Sequence, residues 1–299
     1  VTPLPHPFTS DFLRRLEGLR IRARKEVIGG GPGNYASPRR GGGLEFAEYR
    51  RYAAGDDIRS IDWNLYARSR RLYVKLFREE VDLFAYIFID GSASMGAPSP
   101  AAKFLPAASI ALAVAYVALA SHNHVKLHLL GGEPAASASP FHRGRHKMID
   151  LARMVAELTP SGPLDLAPAL GDHLRRVRKP GKALLISDFL MPAASYESGL
   201  HLLRSSNLDV SVIQTLSRDD VTPALPPGGV ALSDSESGRE IRLRWSEATG
   251  KSYRERLARH NRELRGFCHE VGIRYSLFVT DGDLRGFVLK TLPTVGLFR

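Results

Sequence analysis

The sequence predicts an α/β fold: a doubly wound, mostly parallel sheet with an N-terminal extension and a β-hairpin insertion. Three observations lead there. Apolar runs of strand length, at residues 84–89, 125–130, 183–186, 210–216 and 274–279, alternate with segments of helical pattern, the arrangement that builds βαβ units. Two of those runs end in an acid, Asp90 and Asp188, and open α/β sheets hold ligands at the carboxyl ends of their strands. Residues 101–121 are apolar around the whole circumference, as a helix enclosed in a core should be.

Taken in order, residues 9–25 read as an amphipathic helix capped by Ser10 or Asp11, with Phe12, Leu13, Leu16, Leu19 and Ile21 on its apolar side and arginines opposite. Residues 29–43 are a glycine-rich loop without the Lys-Ser or Lys-Thr of a phosphate loop. The first 43 residues thus form one section. Residues 44–82 form a second, dense in charge and aromatics and expected to pack on the core. In it Gly55-Asp56-Asp57 marks a turn, residues 72–77 a strand, Trp63 and Tyr66 packing anchors, and Asp56 and Asp57 an ion-pair network with Arg50, Arg51 and Arg59.

The main domain is expected to run from 83 to 299. Beyond its first strand and helix it carries an edge strand at 133–141 and helices at 147–158, 197–205, 252–271 and 283–292. Its hairpin insertion lies near 228–245 and turns at Glu236-Ser237-Gly238.

Composition narrows the function classes. A 43% hydrophobic content is enough for a sizeable core, and the longest apolar run is interrupted by Pro106 and Ser109. The opening residues are proline-rich and lack the pattern of an apolar signal segment, and a single cysteine, Cys268, allows no internal disulfide. Both features point to a cytoplasmic setting. The net charge of +11 invites an anionic partner, yet no nucleic-acid recognition motif accompanies it and much of the arginine is interleaved with acids. His124 and His128 share a strand face, with no further ligand placed to complete a zinc set.

The chemistry concentrates at residues 86–96, YIFIDGSASMG. Asp90, Ser92 and Ser94 in a D-x-S-x-S spacing offer one carboxylate and two hydroxyls after a buried strand, a hard-oxygen set suited to Mg²⁺, Mn²⁺ or Ca²⁺. The same residues admit an alternative. Ser92-Ala93-Ser94-Met95-Gly96 is one glycine short of the G-x-S-x-G nucleophile elbow, so Ser94 could act as a hydrolase serine with Asp188 and His260 or His269. Ser92 in place of the first glycine weighs against this.

The runs EFAEYRRYAAGDDIRSIDWNLYAR, DGSASM, ISDF and DSESG, in this order, resemble the bacterial family called domain of unknown function 58 over residues 40–290. The resemblance implies a von Willebrand factor A-like fold with a metal-ion-dependent adhesion site, and, as partner, a MoxR-type AAA+ ATPase or its client. It assigns Asp90, Ser92 and Ser94 to the site's first loop and Asp188 to its third. The second loop normally supplies a threonine, and here Leu164 stands at that position. A metal would then need water, Asp165, or a shifted Thr159 or Ser161 in its place. The function implied is a non-catalytic, Mg²⁺- or Mn²⁺-dependent protein-interaction module. The alternatives are the Ser94 hydrolase and an electrostatic binder of anionic surfaces through the basic N-terminal part.

Overall fold

The Thr9 hydroxyl accepts the Phe12 N–H at 3.3 Å and so starts the first helix, α1 (Ser10–Glu17). The computed structural model describes residues 8–21, 28–30, 44–79, 83–133 and 137–298. The cap is one residue earlier than expected, and the helix stops eight residues sooner: the Gly18 N–H turns back onto Arg15 and Leu16, and Ile21 forms an antiparallel bridge with Phe298. Phe12 and Leu16 are the buried face, while the Glu17 carboxylate accepts the Tyr116 hydroxyl at 2.7 Å. The rest of the expected helix, from 22 to 25, lies outside the described residues, as do positions 31–43 of the glycine-rich loop.

Contacts divide the chain into two units, Ala23–Leu83 and the combination of Val1–Arg22 with Phe84–Arg299. The smaller unit is an antiparallel sheet of β1 (Ile28–Gly30), β2 (Leu44–Arg51) and β3 (Tyr73–Glu79) in the order β1-β3-β2, with α2 (Trp63–Ser69) between β2 and β3. The expected ion pairs form between Arg50 and Asp56 at 2.7 Å and between Arg59 and Asp57 at 3.1 Å; Arg51 contributes only its carbonyl, to Arg50. Trp63 is not a buried anchor. It is 55% exposed, and the residue that pins this unit is Asp62, which caps α2 and takes the Tyr49 hydroxyl at 2.8 Å and the Lys75 ammonium at 3.1 Å.

In the larger unit β4 (Phe84–Asp90) is central. It pairs in parallel with β5 (His124–Leu130) on one side and β7 (Gly181–Ser187) on the other. β8 (Leu208–Leu216) and β11 (Arg274–Val279) continue the parallel sheet beyond β7. The two-residue β6 (Ser137–Ala138) closes the opposite edge, antiparallel to β5, and is shorter than the strand expected at 133–141. The order β11-β8-β7-β4-β5-β6 reverses direction between β4 and β7, which opens a crevice at their carboxyl ends.

Helices cover both faces. Strand alternation sends Phe84, Tyr86 and Phe88 into a core with Leu166 and Leu170 of α5 (Leu166–Leu174), Leu200 and Leu203 of α6 (Ala193–Ser205) and Leu264 of α8 (Glu247–Glu270). On the other face α3 (Phe104–Ala120) packs against β4, β5 and β7 and is itself covered by α1 and by α4 (Met148–Ala156). Fourteen of its residues are buried, which explains its all-round apolar composition. Among the described residues no helix is long and apolar enough to cross a membrane.

The short α7 (Arg218–Val221) follows β8. After it, β9 (Gly228–Ser233) and β10 (Glu240–Trp245) form a two-stranded hairpin that among the described residues pairs with no other strand, and the Thr249 hydroxyl of α8 donates to its Arg244 carbonyl at 3.2 Å. After β11 the chain closes through α9 (Leu284–Gly286), a π turn (Phe287–Thr291) and α10 (Leu292–Thr294).

Candidate functional site

Asp90 is the last residue of β4 and is fully buried. Its Oδ1 accepts the Ser92 N–H at 2.8 Å and its Oδ2 the Ser187 hydroxyl at 2.5 Å, so the first loop and the end of β7 are tied through one carboxylate. Burial, and secondarily the charge of Asp188, push its pKa up to about 7, against the opposing hydrogen bonds from Ser187 and Ser92. Ser92 starts a 3₁₀ turn, Ala93–Gly96, that swings Ser94 round until the two hydroxyl oxygens lie 3.0 Å apart.

The second loop is stitched onto the first by backbone. Ala93 N–H donates to the Gly162 carbonyl at 2.8 Å, and Ser161 N–H donates to the Gly91 carbonyl at 3.0 Å. Gly91 has to be glycine for this approach, because a Cβ there would meet Leu158 at 2.8 Å and the Gly131 carbonyl at 3.2 Å. Leu164, at the expected threonine position, turns its side chain into the core with Leu166 and Phe189. The three candidate substitutes are placed as follows. Thr159 is exposed and engages Glu133 through backbone alone, Ser161 contributes its N–H, and Asp165 is exposed at the start of α5.

Asp188 lies just past the end of β7. The next residue, Phe189, is fully buried at φ +53, a left-handed conformation uncommon for a large side chain and held here by three bonds. Its N–H donates to Ser187 Oγ at 3.0 Å, the Leu190 N–H donates to Asp188 Oδ1 at 3.1 Å, and Gln214 donates to the Asp188 carbonyl at 3.0 Å.

Asp188 Oδ2 takes the ammonium of Lys103, 2% exposed, at 2.8 Å. The same Nζ lies 3.3 Å from Asp220 in α7. Burial acts to lower the pKa of Lys103, but Asp188 and then Asp220 outweigh it and hold the group charged.

A fourth carboxylate comes from the hairpin. Glu236, in the β9–β10 turn, is half-buried. Its pKa is raised, first by burial and then by the charge of Asp188.

Sequence reasoning missed Lys103, Ser187, Asp220 and Glu236. Lys103 was signalled as the lone charge at the head of an apolar helix, and Glu236 by its place in a motif of an otherwise polar turn.

Chemically the site is acidic, with the carboxylates of Asp90, Asp188, Asp220 and Glu236 to the Lys103 ammonium and the three hydroxyls of Ser92, Ser94 and Ser187. An octahedral Mg²⁺ with oxygens at its usual bond length has ligand edges of about 3 Å. The Ser92–Ser94 separation of 3.0 Å matches that edge. Among the described residues no three His, Cys, Asp or Glu side chains converge tightly enough to hold a metal by themselves, so a cation would have to draw on hydroxyls and water. The triad needed for a Ser94 nucleophile is not assembled. Ser94 Oγ pairs with Ser92, and His260 Nε2 lies 2.8 Å from the Phe189 carbonyl, to which it donates; His269 is exposed in the last turn of α8.

The profile of the family described as "Protein of unknown function DUF58" matches residues 48–263, which include the β4 loop, the acid after β7 and the hairpin. The chain belongs to the DUF58 family. Uncharacterized proteins of Mycobacterium bovis and Mycobacterium tuberculosis are 28% identical to this DUF58 chain over 274 residues, covering 90% of it and 84% of each relative.

Among solved structures, a conserved hypothetical protein BatB from Bacteroides thetaiotaomicron aligns with a TM-score of 0.42 and 12% identity, over 71% of this chain and 98% of that one. An aerotolerance-related membrane protein from Bacteroides fragilis aligns with a TM-score of 0.40 and 16% identity, over 71% and 97%.

Proposed function

We propose that this DUF58 protein is a non-catalytic interaction module of the von Willebrand factor A type. Its site holds a hard divalent cation, Mg²⁺ or Mn²⁺, and offers it to a carboxylate on a partner protein. The observation that carries this reading is the pair of hydroxyls, Ser92 and Ser94, set 3.0 Å apart beside the buried Asp90 in the crevice where the sheet reverses.

Ser92, Ser94, Asp90 and Asp188 would hold the ion, which supplies a positive centre for an anionic ligand. Two features make the site weaker than a full adhesion set. Leu164 brings no oxygen, and Asp188 already shares its charge with Lys103. In this reading residues 83–299 form the interaction domain, 44–82 an accessory segment and 1–43 a leading section. The family resemblance supports a MoxR-type AAA+ ATPase, or its client, as the partner, and the single, buried Cys268 suits a reducing cytoplasm.

The test is a calorimetric titration of Mg²⁺ and Mn²⁺ into chelator-treated protein, with Asp90→Ala and Ser94→Ala as controls. Saturable binding of one ion per chain is expected, lost in both variants while circular dichroism stays unchanged. An unchanged isotherm in Asp90→Ala, or no saturable heat in the wild type, defeats the reading.

A further inference from the structure

Lys103 stands immediately before the first turn of α3, where the helix dipole presents its positive end and a cation is least welcome. Its side chain is nonetheless 2% exposed. Burying an ammonium there costs free energy that only close acids offset. Two acids do so: Nζ lies 2.8 Å from Asp188 Oδ2, and 3.3 and 3.4 Å from the two oxygens of Asp220.

The two acids are held differently. Asp188, one of the residues assigned to the cation, also accepts the Leu190 N–H on Oδ1 at 3.1 Å, so both of its oxygens are engaged. Asp220 is clamped in α7. Its Oδ2 accepts the Ser217 N–H and hydroxyl, each at 2.8 Å, its own N–H donates to Ser217 Oγ at 3.1 Å, and its carbonyl accepts the Tyr253 hydroxyl at 2.6 Å. The ammonium thus sits close against Asp188 and more loosely against a second, fixed carboxylate.

A divalent ion on Asp188 meets that ammonium, and two positive charges on one buried carboxylate repel strongly where water does not screen them. The flexible stem of a lysine lets its head group move the short way to Asp220. We propose that Lys103 is the site's resident cation and a two-seat counter-ion: it neutralises Asp188 while no divalent ion is held, and shifts wholly onto Asp220 when one arrives. The inference rests on the reading of Asp188 as a ligand of the cation. It adds that ion binding is an exchange of cations, that Lys103 sets the affinity, and that Asp220 is the seat that makes the exchange possible.

The test measures Mn²⁺ binding, by electron paramagnetic resonance of the free ion, to wild type, Lys103→Met, Asp220→Asn and the double variant, each checked by circular dichroism. The exchange predicts that Lys103→Met binds Mn²⁺ at least about tenfold more tightly than wild type, because a like charge has left the buried site. Asp220→Asn, whose amide oxygen still accepts the Ser217 N–H, should bind at least about threefold more weakly, because the ammonium has lost its second seat. The double variant keeps the wild-type net charge and carries the test if the single lysine variant does not fold. It should still bind more tightly than wild type. Asp220→Asn should also cost less without Lys103 than with it, a non-additivity that a uniform loss of negative charge does not give.

The proposal is overturned if removing Lys103 brings no gain, or if Asp220→Asn weakens binding equally in both backgrounds. Binding that is equal in wild type and Lys103→Met keeps the cation and removes the exchange. Binding found only where Lys103 is absent keeps the exchange and makes the ammonium the sole occupant in wild type. No saturable binding in any of the four proteins defeats the cation reading and the exchange with it.

Discussion

Lys103→Met removes the one ammonium from a cluster of buried acids. The nearest carboxylate oxygens are at 2.8 Å on Asp188 and 3.3 Å on Asp220, and Lys103 is 2% exposed. At an effective dielectric of about 20, the nearer pair alone attracts by about 6 kcal/mol. Desolvation of the two ions offsets several kcal/mol of that, but in the variant the carboxylates stay buried without their partner. The expected loss is therefore about 3–5 kcal/mol, a large share of a typical domain stability of about 5–15 kcal/mol.

Hydrogen exchange of the slowest β4 and β7 amides, in chelator, reads the stability of this unit separately from that of Ala23–Leu83. The double variant Lys103→Met/Asp188→Asn removes the nearest orphaned charge and should recover part of the loss. A loss under about 1 kcal/mol in the single variant, or a double variant whose losses simply add, would refute the claim that the ammonium balances Asp188.

Two further outcomes follow from the core. His128 and His173 meet through their Nδ1 atoms at 3.0 Å. Burial first, and neighbouring positive charge second, lower the pKa of both, that of His128 to about 2 from 6.5. The unfolded chain takes up protons below about pH 6.5 and the folded chain does not, so stability falls as pH drops through that value, by up to about 1.4 kcal/mol per unit for each histidine. Urea midpoints between pH 7 and 5 should show this slope roughly halved in His128→Leu, and an identical slope would remove the histidines from the explanation. Gly199 lets α6 sit directly on α5, since a Cβ there would lie 2.6 Å from Leu166 Cγ. Gly199→Ala should cost about 1–3 kcal/mol by thermal unfolding, eased by adding Leu166→Ala, and an unchanged melting temperature would mean that the two helices part freely.

The central strands of the large sheet were readable because β4 and β7 are buried on both faces and so carry unbroken apolar runs, 84–89 and 183–186, bounded by polar residues. β2 was not. A short antiparallel strand with a register shift between Phe46 and Glu48 has no clean alternation to betray it. Trp63 misled because an aromatic residue in a charged segment looks like an anchor, whereas the pin is the smaller Asp62 with its cap and ion pair.

The sequence by itself determined the mostly parallel α/β sheet and the grouping of Asp90, Ser92 and Ser94, because strand burial and a D-x-S-x-S loop are local properties written within a dozen residues. Only the tertiary structure decided what those groups face. Ser187 reaches Asp90 across 97 residues and Lys103 reaches Asp188 across 85, while Leu164 turns into the core. Those placements depend on strand order and on how the loops fold back over the sheet edge, and no local period in the chain encodes either.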